Sequence, residues 1–243
     1  MPAFLARIAG LRSRITLTGW MLFLLLSSLT AHAQQTIFNV PSGDVLKKGE
    51  VYLEVDVPLR LHAPRFVSFV PRIVIGVGRR LEVGVNLTGN LQPGPDSTTL
   101  APALKWKAYD GKENGWAFVL GDNLQVPLRN RAYNIGNYAY AHLYKTFGRG
   151  TRIGFGAYDF TAGVVAPGAN RAGGQFTFEH PVHSKITLAA DWYTGKHASG
   201  YFSAGAIAKP HPKVTLYTAY SLGNTGVQAG NHFFLIELGY NLK

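Results

Sequence analysis

No cysteine occurs among the 243 residues, which excludes disulfides, thiolate-bound metals, covalent c-type haem and a cysteine nucleophile. Charge is scarce as well: Asp, Glu, Lys and Arg together make up 15%, against about 25% in an ordinary soluble chain. Apolar residues reach 47%, and disordered chains are charge-rich and apolar-poor, so extensive disorder is excluded. Extended helical periodicity is missing after residue 33, and no apolar run there approaches the length of a spanning helix. Methionine is confined to Met1 and Met21. Glycine, by contrast, is abundant at 28 residues, with no collagen-like period or low-complexity tract behind it.

The start of the chain reads as an address. Arg7, Arg12 and Arg14 precede an apolar run from Leu17 to Leu29, and Ala31-His32-Ala33 supplies the small-x-small pattern of a cleavage site. Together these make a secretory signal peptide over residues 1–33. An N-terminal anchor is the alternative, but the run is short of the ~20 residues a spanning helix needs. Cleavage removes three arginines and no acid from a formal charge of +11, so the exported chain stays basic. Its lysines and arginines are not gathered into a phosphate-tracking stripe, and nucleic acid is not an expected partner. Anionic lipid headgroups or acidic solutes suit this charge better.

A period of two runs through the rest. Val51, Leu53, Val55, Val57, Leu59 and Leu61 alternate with Tyr52, Glu54, Asp56, Pro58 and Arg60. That pattern is a strand with one apolar face. It recurs over 69–77, 81–88, 100–107 and 116–128, and further strands are expected near 133–147, 151–160, 173–182, 185–193, 201–209, 214–223 and 232–242. The count is about twelve. In the sixth and tenth segments small and aromatic residues alternate, so either face could be the apolar one.

The joins alternate too. Gly78-Arg79-Arg80, Asp110 to Asn114, Gly148-Arg149-Gly150, His183-Ser184 and Pro210-His211-Pro212 are tight turns, while 90–97, 162–172, 194–200 and 224–231 are longer. Short turns on one side, longer loops on the other and an even strand number describe an all-β, closed antiparallel up-and-down transmembrane barrel. The expected division is a signal peptide over 1–33, an N-terminal periplasmic segment over 34–46 and the barrel over 47–243. Trp106, Trp116, Trp192 and Tyr240 fall on the apolar face at membrane-interface heights, where amphipathic rings prefer to sit. A soluble carrier of the lipocalin type would invert the faces, and twelve strands would leave it an interior too wide to fill easily.

On this pattern the chain resembles bacterial outer-membrane β-barrel proteins of the small porin-like or transporter-like kind. Asp44-Val45-Leu46-Lys47-Lys48-Gly49-Glu50, leading into the first strand, is similar to the outer-membrane group of phenol-degradation pathways. The resemblance implies the outer membrane of a Gram-negative bacterium, contact with lipids and insertion by the outer-membrane assembly machinery. Many such barrels end in Phe or Trp, whereas this sequence ends Leu242-Lys243.

The polar face offers Arg60, Arg72, Lys105, Lys107 and Arg152 against Glu54, Asp56, Glu82, Glu179, Asp191 and Glu237 as lumen-lining residues. Near-balance of sign fits either a wet polar channel or a closed core of salt bridges. Inward glycines at 76, 84, 154, 156 and 239 would leave space for solute or for long neighbouring side chains. For chemistry, Asp191, His197 and Ser199 invite a hydrolase reading, but residues two apart in a loop do not by themselves place serine and histidine in reach. His142, His180, His183, His211 and His232 lack metal-ligand spacing, and no cofactor is expected. A passive channel or transporter for small polar solutes is the leading reading. A non-conducting structural or adhesive barrel and an outer-membrane lipid hydrolase are the alternatives. Asp122 stands out, because it falls on the outward parity between Leu120 and Leu124. Irregularity near Gly121, interface height or cover by a neighbouring chain is expected there.

Overall fold

The alternating run from Val51 forms strand β1 (Val51–Arg60), and each later run forms its own strand in the computed structural model. Residues 35–63, 65–88, 98–129, 134–224 and 232–242 are described, so the expected signal peptide and the 90–97 loop lie outside the described residues. The elements are β2 (Phe66–Val67), β3 (Val70–Gly78), β4 (Leu81–Thr88), β5 (Thr99–Gly111) and β6 (Trp116–Pro127). They continue as β7 (Gly136–Thr146), β8 (Arg152–Phe160), β9 (Ala172–His183), β10 (Ile186–Tyr193), β11 (Tyr201–His211), β12 (Val214–Gly223) and β13 (Phe233–Asn241).

Every neighbour pair is antiparallel, and β13 closes the ring on β1, with Tyr52 opposite Asn241 and Leu59 opposite Phe234. Closure removes the free sheet edges that an open sheet would expose. β1 and β3 to β13 make a closed twelve-stranded barrel; β2 is an added strand that pairs beside the end of β1, Leu59 to Val67 and Arg60 to Phe66. The expected short fourth strand, ending near residue 107, runs on to Gly111, past a register shift between Lys107 and Tyr109. The tenth likewise extends to His211 through a shift after Ala208.

The tight turns gather at one end, called here the turn end, and the longer connections at the other, the loop end. At the β3–β4 turn, Gly78, Arg79 and Arg80 all have positive φ, at 96°, 53° and 60°. Two successive left-handed residues match the right-handed twist of a hairpin, which is why such turns usually carry Asn or Gly.

Leu53, Ile73, Ile75, Val83, Leu104, Leu188, Ile236 and Leu238 are exposed around the outside of the barrel. The alternate residues point inward, among them Tyr52, Val74 and Val119. So many exposed large apolar side chains exceed the patches a soluble monomer shows and suit a hydrocarbon surrounding. In β7 the two-way choice resolves with Tyr138, Tyr140, His142 and Tyr144 inside and small residues such as Ala139 outside. In β11 Phe202 faces out, and Ser203 and Ile207 face in.

The N-terminal segment differs from expectation. Sequence alone puts residues 34–46 in the periplasm; Gln35 to Leu46 instead lie within the barrel. Ile37, Phe38, Val40, Ser42 and Leu46 are all buried there. The segment folds as a tight hairpin, Thr36 bridged to Pro41 and the Ile37 N–H bonded to the Val40 carbonyl at 2.9 Å. Its apolar side chains pack on the inner wall, Ile37 and Phe38 among Ile207, Tyr217 and Leu235, and Val40 among Val119 and Tyr144.

Candidate functional site

The charged residues of the polar face differ in exposure. Glu54, Asp56, Arg60, Glu82, Lys105, Glu179, Asp191 and Glu237 are buried, and Arg72, Lys107 and Arg152 are half-buried. Most are paired. Arg72 bonds Glu54 at 3.1 Å and also Asp56, and Lys105 meets Glu82 at 2.9 Å. Arg152 joins Glu179 to Asp44 of the hairpin segment. Among the described residues Lys107 pairs loosely with Asp110, at 4.0 Å. Arg60 bonds His62 at 3.1 Å near the loop end.

The same charges also hold the N-terminal segment from several sides. Asp191 Oδ2 accepts the backbone N–H groups of Phe38, Asn39 and Val40 at 3.0, 2.6 and 2.8 Å. A hairpin tip has backbone donors with no strand partner, and one carboxylate satisfies three of them. Lys105 Nζ donates to the Gln35 carbonyl at 3.1 Å, and the Leu46 N–H donates to Glu82 Oε2 at 2.8 Å. Arg152 grips Asp44 bidentately, with both distances 2.9 Å. Tyr144 donates its hydroxyl to the Pro41 carbonyl. Burial works to raise the Asp44 carboxyl, but the charge and hydrogen bonds of Arg152, aided by Lys107 and Lys105, outweigh it and hold the group well below the usual carboxylate range.

The inward glycines make room for these side chains and for the segment itself. A Cβ at Gly76 would lie 2.0 Å from the Lys47 carbonyl oxygen, so the chain entering the barrel needs a bare backbone there. One at Gly156 would lie 2.2 Å from the His142 ring. Two cavities are left beside the hairpin. The first, about 310 Å³, lies between Gln35, Asp56, Arg72, Glu82, Lys105 and Gln125 and extends toward the loop end at Ser199 and Tyr201. The second, about 590 Å³, lies at the turn end around Asp44, Lys107, Trp116 and Arg152.

Asp191, His197 and Ser199 do not assemble into a relay. Asp191 turns its Oδ2 to the hairpin backbone and makes no bond to His197 among the described residues, and Ser199 reaches His197 through its backbone N–H, which donates to Nδ1 at 3.2 Å. His197 Nε2 lies 2.8 Å from the Tyr158 hydroxyl and 3.0 Å from the Thr194 carbonyl. That set fits a neutral ring with its proton on Nε2. Burial lowers the His197 pKa, against the opposing bond to Thr194. Its ring closes an aromatic cluster with Tyr158, Phe160 and Tyr193, centroids 5.2 to 5.5 Å away.

On the outside, Trp116 opens β6 beside the β5–β6 turn, Trp106 lies five residues before the end of β5 and opposite Leu81, Trp192 sits at the loop end and Tyr240 at the turn end, all exposed. The Trp192 ring donates to Asn224 at 3.0 Å, and Lys145 stands over Trp116 at 5.0 Å from its centroid. Asp122 also faces outward, and of the three expected remedies the irregularity near Gly121 is not found. No register shift occurs at Gly121, where Gly121 pairs with Lys105 and Tyr140 in regular order. Asp122 is half-buried and accepts a hydrogen bond from Asn137 Nδ2 of β7. A neighbouring strand of the same chain thus supplies the partner.

What sequence reasoning missed is the hairpin. The signal was there: Ile37, Phe38 and Val40 are three large apolar residues in a stretch of seven, more than a solvated leader needs.

No family model matches the chain, and no curated protein matches it. Among solved structures, an active-site mutant of outer membrane phospholipase A from Escherichia coli is similar over 82% of this chain and 91% of that one, at 15% identity and TM-score 0.49. The unmutated phospholipase is similar over 80% and 90%, at 14% identity and TM-score 0.44. An outer membrane channel from Pseudomonas putida F1 covers 81% of this chain and 96% of its own, at 13% identity and TM-score 0.42. It is this chain's own strand pairing and closure that make it a barrel.

Proposed function

We propose that the chain is an outer-membrane β-barrel passing small polar solutes, with Gln35–Leu46 as the stopper that sets its open area. The observation that carries this reading is the cavity of about 310 Å³ beside the hairpin, walled by both signs of charge at Asp56, Arg72, Glu82 and Lys105. A closed packed core would have no use for open space of that size among charged side chains, whereas a solute path needs it. The apolar exterior and the exposed Trp106, Trp116, Trp192 and Tyr240 support a lipid surround with interface anchors at both ends. The basic leader with its small-x-small site supports export and cleavage after Ala33.

Single-channel recording in planar bilayers tests the reading. The parent should show a small conductance, and the double variant D191A/R152A, which frees the hairpin at both of its ends, should conduct several-fold more. The absence of conductance from both proteins would overturn it. A non-conducting structural barrel is the second reading, and the fastening of the hairpin to β4, β5, β7, β8 and β10 speaks for it. In the lipid hydrolase reading Asp191 would have to orient His197, and it does not.

A further inference from the structure

We propose that Glu54, Asp56 and Glu237 form a binding site for one divalent cation of the calcium type, inside the barrel at the seam where β1 closes on β13. One oxygen from each of the three carboxylates lies within 4.8 Å of the others. All three side chains are buried. Glu54 is served by Arg72 and by the Tyr52 hydroxyl, and Asp56 Oδ2 by Arg72. Glu237 is different. It is 0% exposed, and among the described residues neither of its oxygens has a hydrogen-bond partner, nor has Asp56 Oδ1 beside it.

Charge counting points to the ligand. Three carboxylates share one guanidinium, Arg72, so ionising all three would leave two negative charges among buried side chains. Asp56 stands directly opposite Glu237 in the β1–β13 register, and like charges facing across strands destabilise a sheet. One divalent ion cancels the excess and turns the repulsion into a clasp between the first and last strands. Carboxylate oxygens on opposite sides of an ion bound at about 2.3–2.6 Å stand up to about 5 Å apart, which accommodates the observed spread. Calcium is favoured over magnesium because it accepts irregular oxygen sets, while magnesium demands near-octahedral order and keeps its waters. Asp56 and Arg72 border the cavity beside the hairpin, so the site has a way in. Spacing along the sequence could not reveal it, since the ligands come from opposite ends of the chain and meet only where β1 closes on β13.

The test uses the whole exported chain refolded in detergent free of lipopolysaccharide and stripped with EDTA. Terbium is the probe, sensitised through Tyr52 and Tyr217, whose hydroxyls lie 3.3 Å apart beside Glu54. Terbium emission on tyrosine excitation should saturate at one ion per chain and be displaced by calcium, and calcium should raise the unfolding midpoint. Glu237→Gln and, separately, Asp56→Asn should each weaken terbium binding by about tenfold or more and abolish the calcium-dependent shift. If the parent shows no saturable emission and the same midpoint in EDTA and calcium, protons neutralise the cluster and the proposal falls. It falls equally if both variants keep the parent's affinity. The parent titration decides the matter even where a variant fails to refold.

Discussion

Asp191 Oδ2 lies 2.8 Å from the backbone nitrogen of Val40, a contact 151 residues long in sequence, and the same oxygen also holds Phe38 and Asn39. One buried carboxylate on β10 therefore fixes the tip of the hairpin. Asp191→Ala leaves three backbone donors without their acceptor. Hydrogen bonds to charged groups are worth about 1.5–3 kcal/mol each, and the hairpin should lose about 3 kcal/mol of local stability once partial rehydration is allowed for. Amide exchange at Phe38, Asn39 and Val40 should accelerate by more than about a hundredfold, with β-strand protection unchanged. Unaltered exchange at these three amides would show that apolar packing alone holds the tip.

The other fastening titrates. Asp44 is held ionised by Arg152, well below its ordinary value of 3.8. A carboxyl depressed in the folded state contributes its full share above the ordinary value, and the contribution fades as pH falls below it toward the lower folded value. The segment should therefore stay docked at Asp44 from neutral pH to about 4 and loosen only below that. Hydrogen exchange of residues 42–46 across pH 3 to 7, compared with Asp44→Asn, measures it, since the variant should lack the acid-side step. A variant with the same pH profile as the parent would assign the effect to other carboxylates.

How much of this is legible in the sequence depends on periodicity. Period two is local, so runs such as Val51 to Leu61 or Phe234 to Leu242 reveal both strand and face correctly. β7 is ambiguous because Ala and Tyr are both compatible with either environment. The choice is settled by hydroxyl partners, Pro41 for Tyr144 and Gln175 for Tyr138, that only the closed barrel supplies. The apolar residues of the hairpin are visible in the sequence, but its docking is not, because its partners, Asp191, Arg152, Lys105 and Glu82, are distant in sequence. The faces of these residues can be read, but not which of them meet.

Asp122 and Asn137 make a polar pair on an apolar surface. Removing the amide alone, as Asn137→Ala, leaves a carboxylate unpartnered and should cost about 1–3 kcal/mol. Asp122→Leu removes the charge and adds apolar surface, and it should stabilise the barrel when lipid surrounds that face. Urea unfolding from vesicles of both variants gives the comparison. A loss of stability in Asp122→Leu would indicate that a partner, not lipid, covers this face.

Arg79 and Arg80 sit in left-handed backbone, a conformation costing an L-residue with a side chain roughly 1–2 kcal/mol. Arg79→Asn with Arg80→Gly supplies the residues such a turn prefers. The double variant should be more stable by about 1 kcal/mol, the gain being trimmed by the greater freedom of glycine when unfolded. An equal or lower unfolding midpoint would mean that the two arginines make stabilising contacts outside the turn.

Lys105 and Lys107 lie two residues apart on one face, yet their surroundings make them unequal. Lys105 is buried, 2.9 Å from Glu82, while Lys107 is half-buried with a loose 4.0 Å contact to Asp110. Lys105→Glu would place two carboxylates together beside the Leu46 amide, and breaking a buried pair costs roughly 3–5 kcal/mol. Lys107→Glu disturbs a loose, partly hydrated pair and should cost no more than about 1 kcal/mol. Exchanging the charges, Glu82→Lys with Lys105→Glu, should recover much of the first loss, since the attraction is restored. The recovery should be incomplete: Lys105 also donates to the Gln35 carbonyl and Glu82 accepts from Leu46, and the exchanged groups cannot play both roles. Heat-modifiability on gels ranks the four proteins. Equal loss from the two single variants would mean that the lumen is wet enough at both positions to screen charge, and the hairpin would then be held by its backbone bonds and apolar contacts alone.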